Sequence, residues 1–147
     1  MRIVIDTNIA FSSILNTNSK ISKVILQPRS RINLYSTKQL LNEITEHWNK
    51  LKKISGYSDF QLHETVALIT NKIKFISPEL IPTNLYKKAE NITKNVDIDD
   101  TEFVALTDHI RGKLWTGDKE LRKGLQKNKW NKLISTEELY QLVVKRL

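Results

Sequence analysis

Acidic residues recur at four places where they could act together on a ligand. Asp6 directly follows a short apolar run near the N-terminus, and Asp118 follows another such run after a glycine. Glu43 falls at the edge of the apolar stripe of a predicted helix, and the segment 97–102 holds four of the 16 acids. Each position has a plain structural explanation, because aspartate caps helices and a carboxylate on a helix is usually solvated. Together they offer the oxygen ligands of a hard divalent cation.

The acidic segment 97–102 carries the strongest indication of chemistry. Asp97, Asp99 and Asp100 occupy three of four consecutive positions, which is more negative charge than a helix cap requires. Like charges this close raise one another's pKa, and a bound cation would relieve the repulsion. No lysine or arginine lies within this segment or immediately beside Asp6. The pattern therefore favours Mg²⁺ or Mn²⁺ as a cofactor.

A zinc site is disfavoured by the nitrogen and sulfur ligands that the sequence offers. The chain has no cysteine, which also excludes a disulfide scaffold, an iron–sulfur cluster and a thiol nucleophile. The histidines show no H-x₃-H spacing; they are His47, His63 and His109.

Short apolar runs alternate with longer amphipathic stretches along the chain. This alternation predicts an α/β fold with a parallel sheet covered on both faces. Strands are predicted at residues 2–5, 32–35, 73–76, 113–115 and 132–134. Helices are predicted at residues 38–53, 58–71, 83–94, 99–110, 119–126 and 136–147.

Length and charge limit the possible classes of protein. The 147 residues predict a single domain, 1–147, and a formal net charge of +8 indicates a polyanionic partner. The sequence has no apolar run of about 20 residues, and its N-terminal run is too short for a signal peptide. We therefore expect a cytoplasmic protein without a membrane partner.

The predicted sheet indicates where the acids should meet. In open parallel sheets, ligands bind beyond the carboxyl ends of the strands, where the strand order reverses. If the first and fourth strands are adjacent and central, Asp6, Asp100 and Asp118 converge there, and Glu43 reaches them from a flanking helix. A cation site in a basic protein suggests cleavage of phosphodiester bonds, because divalent ions acidify water and neutralise phosphate charge.

Three sequence strings and one helical acid resemble the PIN-domain family. The strings are IVIDTN at 3–8, DIDDTEFVAL at 97–106 and LWTGDKEL at 114–121, and the acid is Glu43. The resemblance runs nearly end to end. It implies a three-layer α/β/α fold with a parallel five-stranded sheet and a metal-dependent ribonuclease. Such a protein is commonly a VapC-like toxin of a bacterial type II toxin–antitoxin pair.

The resemblance also assigns roles to individual residues. The family's four acids correspond to Asp6, Glu43, Asp100 and Asp118, which are expected to bind metal and carry the catalysis. Further positions are Asp97 and Asp99 as additional ligands, and Asn8 and Thr116 as polar residues that support the acids. RNA, an antitoxin protein and a second copy of the chain are the implied partners. From their proximity to Asp118, we expect the RNA backbone to contact Lys119, Arg122 and Lys123.

Two other functions remain open at this stage. A PIN-like module could bind RNA without cleaving it, since backbone binding requires only positive charge. The string at 97–101 also fits the D-x-D-x-T pattern of haloacid-dehalogenase-like phosphatases. That pattern requires a buried strand directly before it, and residues 92–96 make a poor one.

Overall fold

The computed structural model describes residues 1–27 and 31–144, which form one five-stranded sheet with helices around it. The strands are β1 (Arg2–Ile5), β2 (Asn33–Thr37), β3 (Ile73–Ile76), β4 (Lys113–Trp115) and β5 (Leu133–Ile134). The helices are α1 (Thr7–Leu15), α2 (Lys20–Ile25), α3 (Lys38–Glu46), α4 (Trp48–Ser55), α5 (Asp59–Thr70), α6 (Thr83–Thr93), α7 (Thr101–Ile110), α8 (Lys119–Lys127) and α9 (Thr136–Val143). Two 3₁₀ turns lie at Pro78–Leu80 and Ile98–Asp100.

All neighbouring strands are parallel, in the order β3-β2-β1-β4-β5. Strand β1 is central and pairs with β2 on one side and β4 on the other. In register, Ile3 aligns with Leu34 and Ile5 aligns with Trp115. The chain extends the sheet from β1 towards β3 and then returns to the other side of β1. The strand order thus reverses between β1 and β4, as the predicted convergence of the acids requires.

The core explains why short apolar runs become strands. Ile3, Val4 and Ile5 are fully buried in β1, as expected for a central parallel strand covered on both faces. Helix α7 packs on β1, β2 and β4, with α6 against it, while α1 packs with α2, α3, α4 and α5. The three-layer α/β/α prediction is confirmed. Within the described residues, no helix is long and apolar enough to cross a membrane.

Several element boundaries differ from the prediction. The helix predicted at 38–53 is two helices, α3 and α4, because the chain turns at His47, whose ring packs edge-on against Phe11 at 5.8 Å. The helix predicted from residue 99 begins at Thr101, after a 3₁₀ turn. Strand β2 extends to Thr37, and β5 is only two residues long. The C-terminal helix ends at Val143, and residues 145–147 of its predicted range lie outside the described residues.

Candidate active site

Two of the acids lie where the two central strands end. Asp6 follows β1 directly, and Asp118 lies three residues beyond the end of β4. Because Ile5 aligns with Trp115, Asp6 lies beside Thr116 at the carboxyl edge of the sheet. The Thr116 side chain hydrogen-bonds to Asp6, and its Oγ1 accepts the backbone N–H of Asp118 at 3.1 Å. Thr116 therefore orients both acids.

Asp6 is a buried N-cap whose pKa is raised, as is common for groups that bind ligands. Its Oδ1 accepts the backbone N–H of Ile9 at 2.9 Å, so the residue does cap helix α1. Asp6 is nevertheless 2% exposed, and burial raises its pKa to about 6. The negative charges of Asp118 and Glu43 raise the pKa further, whereas the hydrogen bonds from Ile9 and Thr116 lower it. Asp6 thus fits both a structural and a functional role.

Asp100 is the most perturbed acid. It is the last residue of the 3₁₀ turn, directly before α7, and its side chain makes no capping hydrogen bond to the helix. Burial raises its pKa to about 8, followed by the charges of Asp97, Asp6 and Asp118 and a hydrogen bond with Asp97. At neutral pH this carboxyl therefore holds its proton unless a cation compensates its charge.

Glu43 reaches the site from helix α3 and is held there by Gln39. The Gln39 side-chain amide donates to Glu43 Oε1 at 2.8 Å and to the backbone carbonyl of Asp99 at 2.8 Å. This amide links α3 to the acidic segment. Gln39 was not among the residues predicted from sequence, although its position one helical turn before Glu43 is a usable signal.

Asp118 is the N-cap of α8. Its Oδ1 accepts the backbone N–H groups of Glu120 at 2.9 Å and Leu121 at 3.1 Å. These bonds fix the carboxylate at the start of α8, next to the end of β4. Asp118 is close enough to raise the pKa of both Asp6 and Asp100.

Most of the candidate residues surround a polar cavity of about 150 Å³ at the sheet's carboxyl edge. Thr7 also contributes, and its buried Oγ1 has no hydrogen-bond partner within the described residues. Buried polar atoms nearly always have a hydrogen-bond partner, so a free hydroxyl at this position favours a site that a ligand completes. The lining residues are Asp6, Thr7, Asn8, Gln39, Glu43, Asp97, Asp99, Asp100 and Phe103.

Asp118 opens onto a neighbouring cavity of about 440 Å³, which shares Asp97 with the first. Of the three cations expected to bind RNA, only Lys123 is among the residues that line this cavity. Lys119 and Arg122 are not among them. Lys127, one helical turn beyond Lys123, is a lining residue that was not predicted from sequence.

The donor set fits Mg²⁺ or Mn²⁺ in its chemistry. The acids of the two cavities are oxygen donors, and two of them have raised pKa values. No cation is among the described residues that line the smaller cavity. Within residues 1–27 and 31–144, no three His, Cys, Asp or Glu side chains are grouped closely enough to hold a metal ion. The structure therefore places the acids in mutual electrostatic contact, without a preformed coordination cage.

An α/β/α sheet with acids at the carboxyl edge of its central strands belongs to the open α/β folds, which bind ligands beyond the carboxyl ends of their strands. A family model described as "PIN domain" matches residues 4–139, so this chain belongs to the PIN-domain family, a family of nucleases.

The fold is shared with solved structures. One of these is a chain in the crystal structure of VapBC2 from Rickettsia felis, bound to a DNA fragment from its promoter. The TM-score is 0.66 at 14% sequence identity, and the match covers 92% of this chain and 97% of that one. No curated protein matches the sequence.

The structure also removes the phosphatase alternative. Asp97 follows helix α6 and a turn, not a buried strand, so the D-x-D-x-T string lacks the context that its nucleophile requires.

Proposed function

We propose that this protein is a Mg²⁺- or Mn²⁺-dependent endoribonuclease that hydrolyses RNA phosphodiester bonds. The observation that carries the proposal is the pair Asp6 and Asp100. Both are largely buried at the carboxyl edge of the central strands, and the pKa of each is raised partly by nearby acids. A fold stabilised only by packing gains nothing from such a pair, whereas a cation site requires it.

Asp6, Asp100 and Asp118 are the acids proposed to hold the cation, together with Glu43, and Asp97 and Asp99 are further donors. When bound, a divalent cation acidifies water and neutralises charge on the phosphate. Asp97 is placed to contribute from both cavities, because it lines each of them.

The chain's own residues supply orientation and proton transfer. Thr116 holds Asp6 and Asp118 in place. The Gln39 amide donates to Glu43 Oε1, whereas no described residue hydrogen-bonds Glu43 Oε2. We therefore propose that Oε2 accepts a proton from the attacking water. Asn8 and Thr7 are polar residues that line the same cavity, and the buried Thr7 hydroxyl has no hydrogen-bond partner within the described residues. Lys123, Lys119 and Arg122 are proposed to contact the RNA backbone.

A toxin of a bacterial type II toxin–antitoxin pair is the proposed biological setting. Support comes from membership of the PIN-domain family and from the fold shared with a chain of VapBC2. An antitoxin protein is the corresponding partner, with a homodimer as the proposed assembly. Growth arrest on expression, reversed by the product of an adjacent gene, is the expected result, and unimpaired growth with active protein would contradict the toxin role.

A non-catalytic RNA-binding module is the second candidate, and one observation favours it. Among the described residues, no three acids are grouped to hold a metal ion. A module of this kind would bind RNA equally well with Mn²⁺ and with EDTA, and would bind no divalent cation at the carboxylates.

Incubation of the purified protein with single-stranded and structured RNA tests the catalytic proposal. We expect cleavage with Mn²⁺, none with EDTA, and none by Asp100→Asn. Asp108→Asn is the matched control, because Asp108 lies in the same helical region but does not line the carboxylate cavity. Cleavage that persists in EDTA or in Asp100→Asn would refute the mechanism.

A further inference from the structure

A continuous surface leads away from the candidate site between α6 and α8. We call it the α6–α8 seam. It consists of the cavity beside Asp118, lined on one side by residues 95–97, and a second cavity of about 610 Å³ lined by Lys88, Asn91 and Ile92 and by residues 127–132. Lys127 lines both cavities. The seam therefore runs along α8 from its start at the carboxylates to its end.

Two contacts set the shape of the seam. A Cβ atom on Gly124 would lie 2.5 Å from Val96 Cγ1, so only glycine lets α8 lie this close to the segment after α6. At the far end, the Asn128 side-chain amide donates to the backbone carbonyl of Ile92 at 2.7 Å. The seam is thus a fixed feature of the packing of α8 against α6.

Charge is divided along the seam. The acids that face it, Asp97, Asp118 and Glu120, all lie at the end beside the candidate site. Among the described residues, no acid lines the far cavity, and four lysines do: Lys88, Lys127, Lys129 and Lys132.

Structural pairing accounts for only part of this positive charge. Buried Asp108 lies behind the far cavity, forms an ion pair with Lys132, and has its carboxylate 3.9 Å from the Lys88 ammonium. One carboxylate thus faces two lysines, and the Lys88 side chain remains 57% exposed. No ion pair involves Lys127 or Lys129 among the described residues. The far cavity therefore keeps a net positive charge that packing does not require.

We infer that the α6–α8 seam binds the phosphate backbone of an RNA strand whose scissile phosphate lies at the carboxylates. The inference rests on the proposed function and adds a binding site remote from the chemistry. Lysine ammonium groups contact phosphate as point charges and read no base sequence, so this site contributes affinity and direction to the strand. Helix α8 has nine residues and is about 13 Å long, so a substrate of one or two nucleotides cannot reach the far cavity.

A pair of charge-removing variants tests the inference. Lys88→Gln with Lys127→Gln removes two cations from the far cavity, and Lys132 is left intact because its ion pair with Asp108 is the closer of the two. The matched control is Lys72→Gln with Lys74→Gln, which removes the same charge from exposed positions before and in β3, at the opposite edge of the sheet. Equal melting temperatures would establish that both double variants are folded.

Binding is measured in EDTA by fluorescence anisotropy of a single-stranded RNA of about 16 nucleotides. The salt concentration is varied between about 50 and 200 mM. Removal of one phosphate-binding cation should reduce the slope of log affinity against log salt by about 0.7, so we expect a reduction of about 1.4 in the seam variant and none in the control. A substrate of about two nucleotides should be cleaved equally by all forms, because it is too short to reach the far cavity.

Equal slopes for the two double variants would overturn the inference. The inference would also be overturned if the seam variant bound polyglutamate more weakly but bound RNA as well as wild type does, because the seam would then bind an acidic protein. The assay in EDTA requires no cleavage, so its outcome is independent of the catalytic proposal. A slope difference without cleavage would refute only the proposed function, whereas cleavage with equal slopes would refute only the RNA-binding seam.

Discussion

Two aspartates lie at opposite ends of helix α7 and have opposite surroundings. Asp108, near the end of α7, accepts the Trp130 indole N–H at 3.2 Å and pairs with the Lys132 ammonium. Asp100, just before α7, has Asp97, Asp6 and Asp118 as its electrostatic neighbours, and its pKa is raised to about 8. A helix favours negative charge at its start and disfavours it at its end. Asp108, whose charge is compensated, therefore lies at the end of α7 that disfavours negative charge. Asp100, whose charge is not compensated, lies at the start, which favours it.

A structural acid and a functional acid differ in whether the fold compensates their charge. Asp108 ties α7 to the segment before β5, and its partners satisfy the carboxylate within the fold. Asp6 and Asp100 instead hold charge that the fold leaves uncompensated, which is expected where a ligand completes the site. Four predictions test this contrast, in order of decreasing expected effect.

Loss of cleavage in Asp100→Asn is the largest effect expected. Asparagine keeps the shape of the side chain and removes the charge, so we expect the rate of RNA cleavage with Mn²⁺ to fall more than about 100-fold. Asp108→Asn should cleave within about threefold of wild type, because Asp108 does not line the carboxylate cavity. Initial rates at matched protein concentration measure the effect of each variant. An equal fall in Asp100→Asn and Asp108→Asn would show that the two acids do not differ in function.

Removal of the Asp108 side chain should reduce stability. Asp108→Ala leaves the Trp130 indole N–H, in a residue that is 4% exposed, without its acceptor. We expect the free energy of unfolding to fall by about 2 kcal/mol. Urea denaturation monitored by tryptophan fluorescence gives the value, and a variant as stable as wild type would show that Asp108 has no structural role.

Gln39→Ala should reduce cleavage without a comparable fall in stability. The substitution removes the hydrogen bonds to Glu43 and to the Asp99 carbonyl, so Glu43 loses its fixed orientation. We expect about a tenfold fall in kcat with a smaller change in KM. Asn42→Ala is the control, since Asn42 is an exposed residue of the same helix. An equal effect of the two variants would exclude a positioning role for Gln39.

The smallest effect expected is a change in the pH dependence of stability. Asp100 and Asp6 have pKa values raised to about 8 and about 6 in the folded protein, above the value of about 3.9 of an unfolded aspartate. The folded state then binds more protons than the unfolded state, so in EDTA the free energy of unfolding should fall as pH rises from about 4 to 8. Asp100→Asn should flatten this decline and be about 1 kcal/mol more stable than wild type at pH 8. A steeper decline in the variant would contradict the assignment.

The sheet and the convergence of the acids could be predicted from sequence. Strand β1 is apolar at Ile3, Val4 and Ile5 because both of its faces are covered, and such a run is visible without any structure. Once β1 and β4 are adjacent, the positions of Asp6 and Asp118 follow geometrically. The coarse prediction succeeded because burial imposes the same apolar pattern wherever a central strand forms.

Features that depend on contacts between distant segments could not be predicted. Helix α1 is buried at Ile9, Ala10, Ser13 and Ile14, so its polar and apolar residues do not separate into two faces. The turn at His47 depends on aromatic contacts made only in the fold. The same limit applies to the α6–α8 seam, since only the packed structure shows that Gly124 lies against Val96.

Calorimetric titration of Mn²⁺ into the RNA-free protein tests most directly whether the uncompensated acids form a cation site. Wild type and Asp108→Asn should bind Mn²⁺ with the same affinity, and Asp100→Asn should bind at least about tenfold more weakly. Equal affinities in all three proteins, or no binding by wild type, would contradict the assignment of Asp6 and Asp100 to a metal centre.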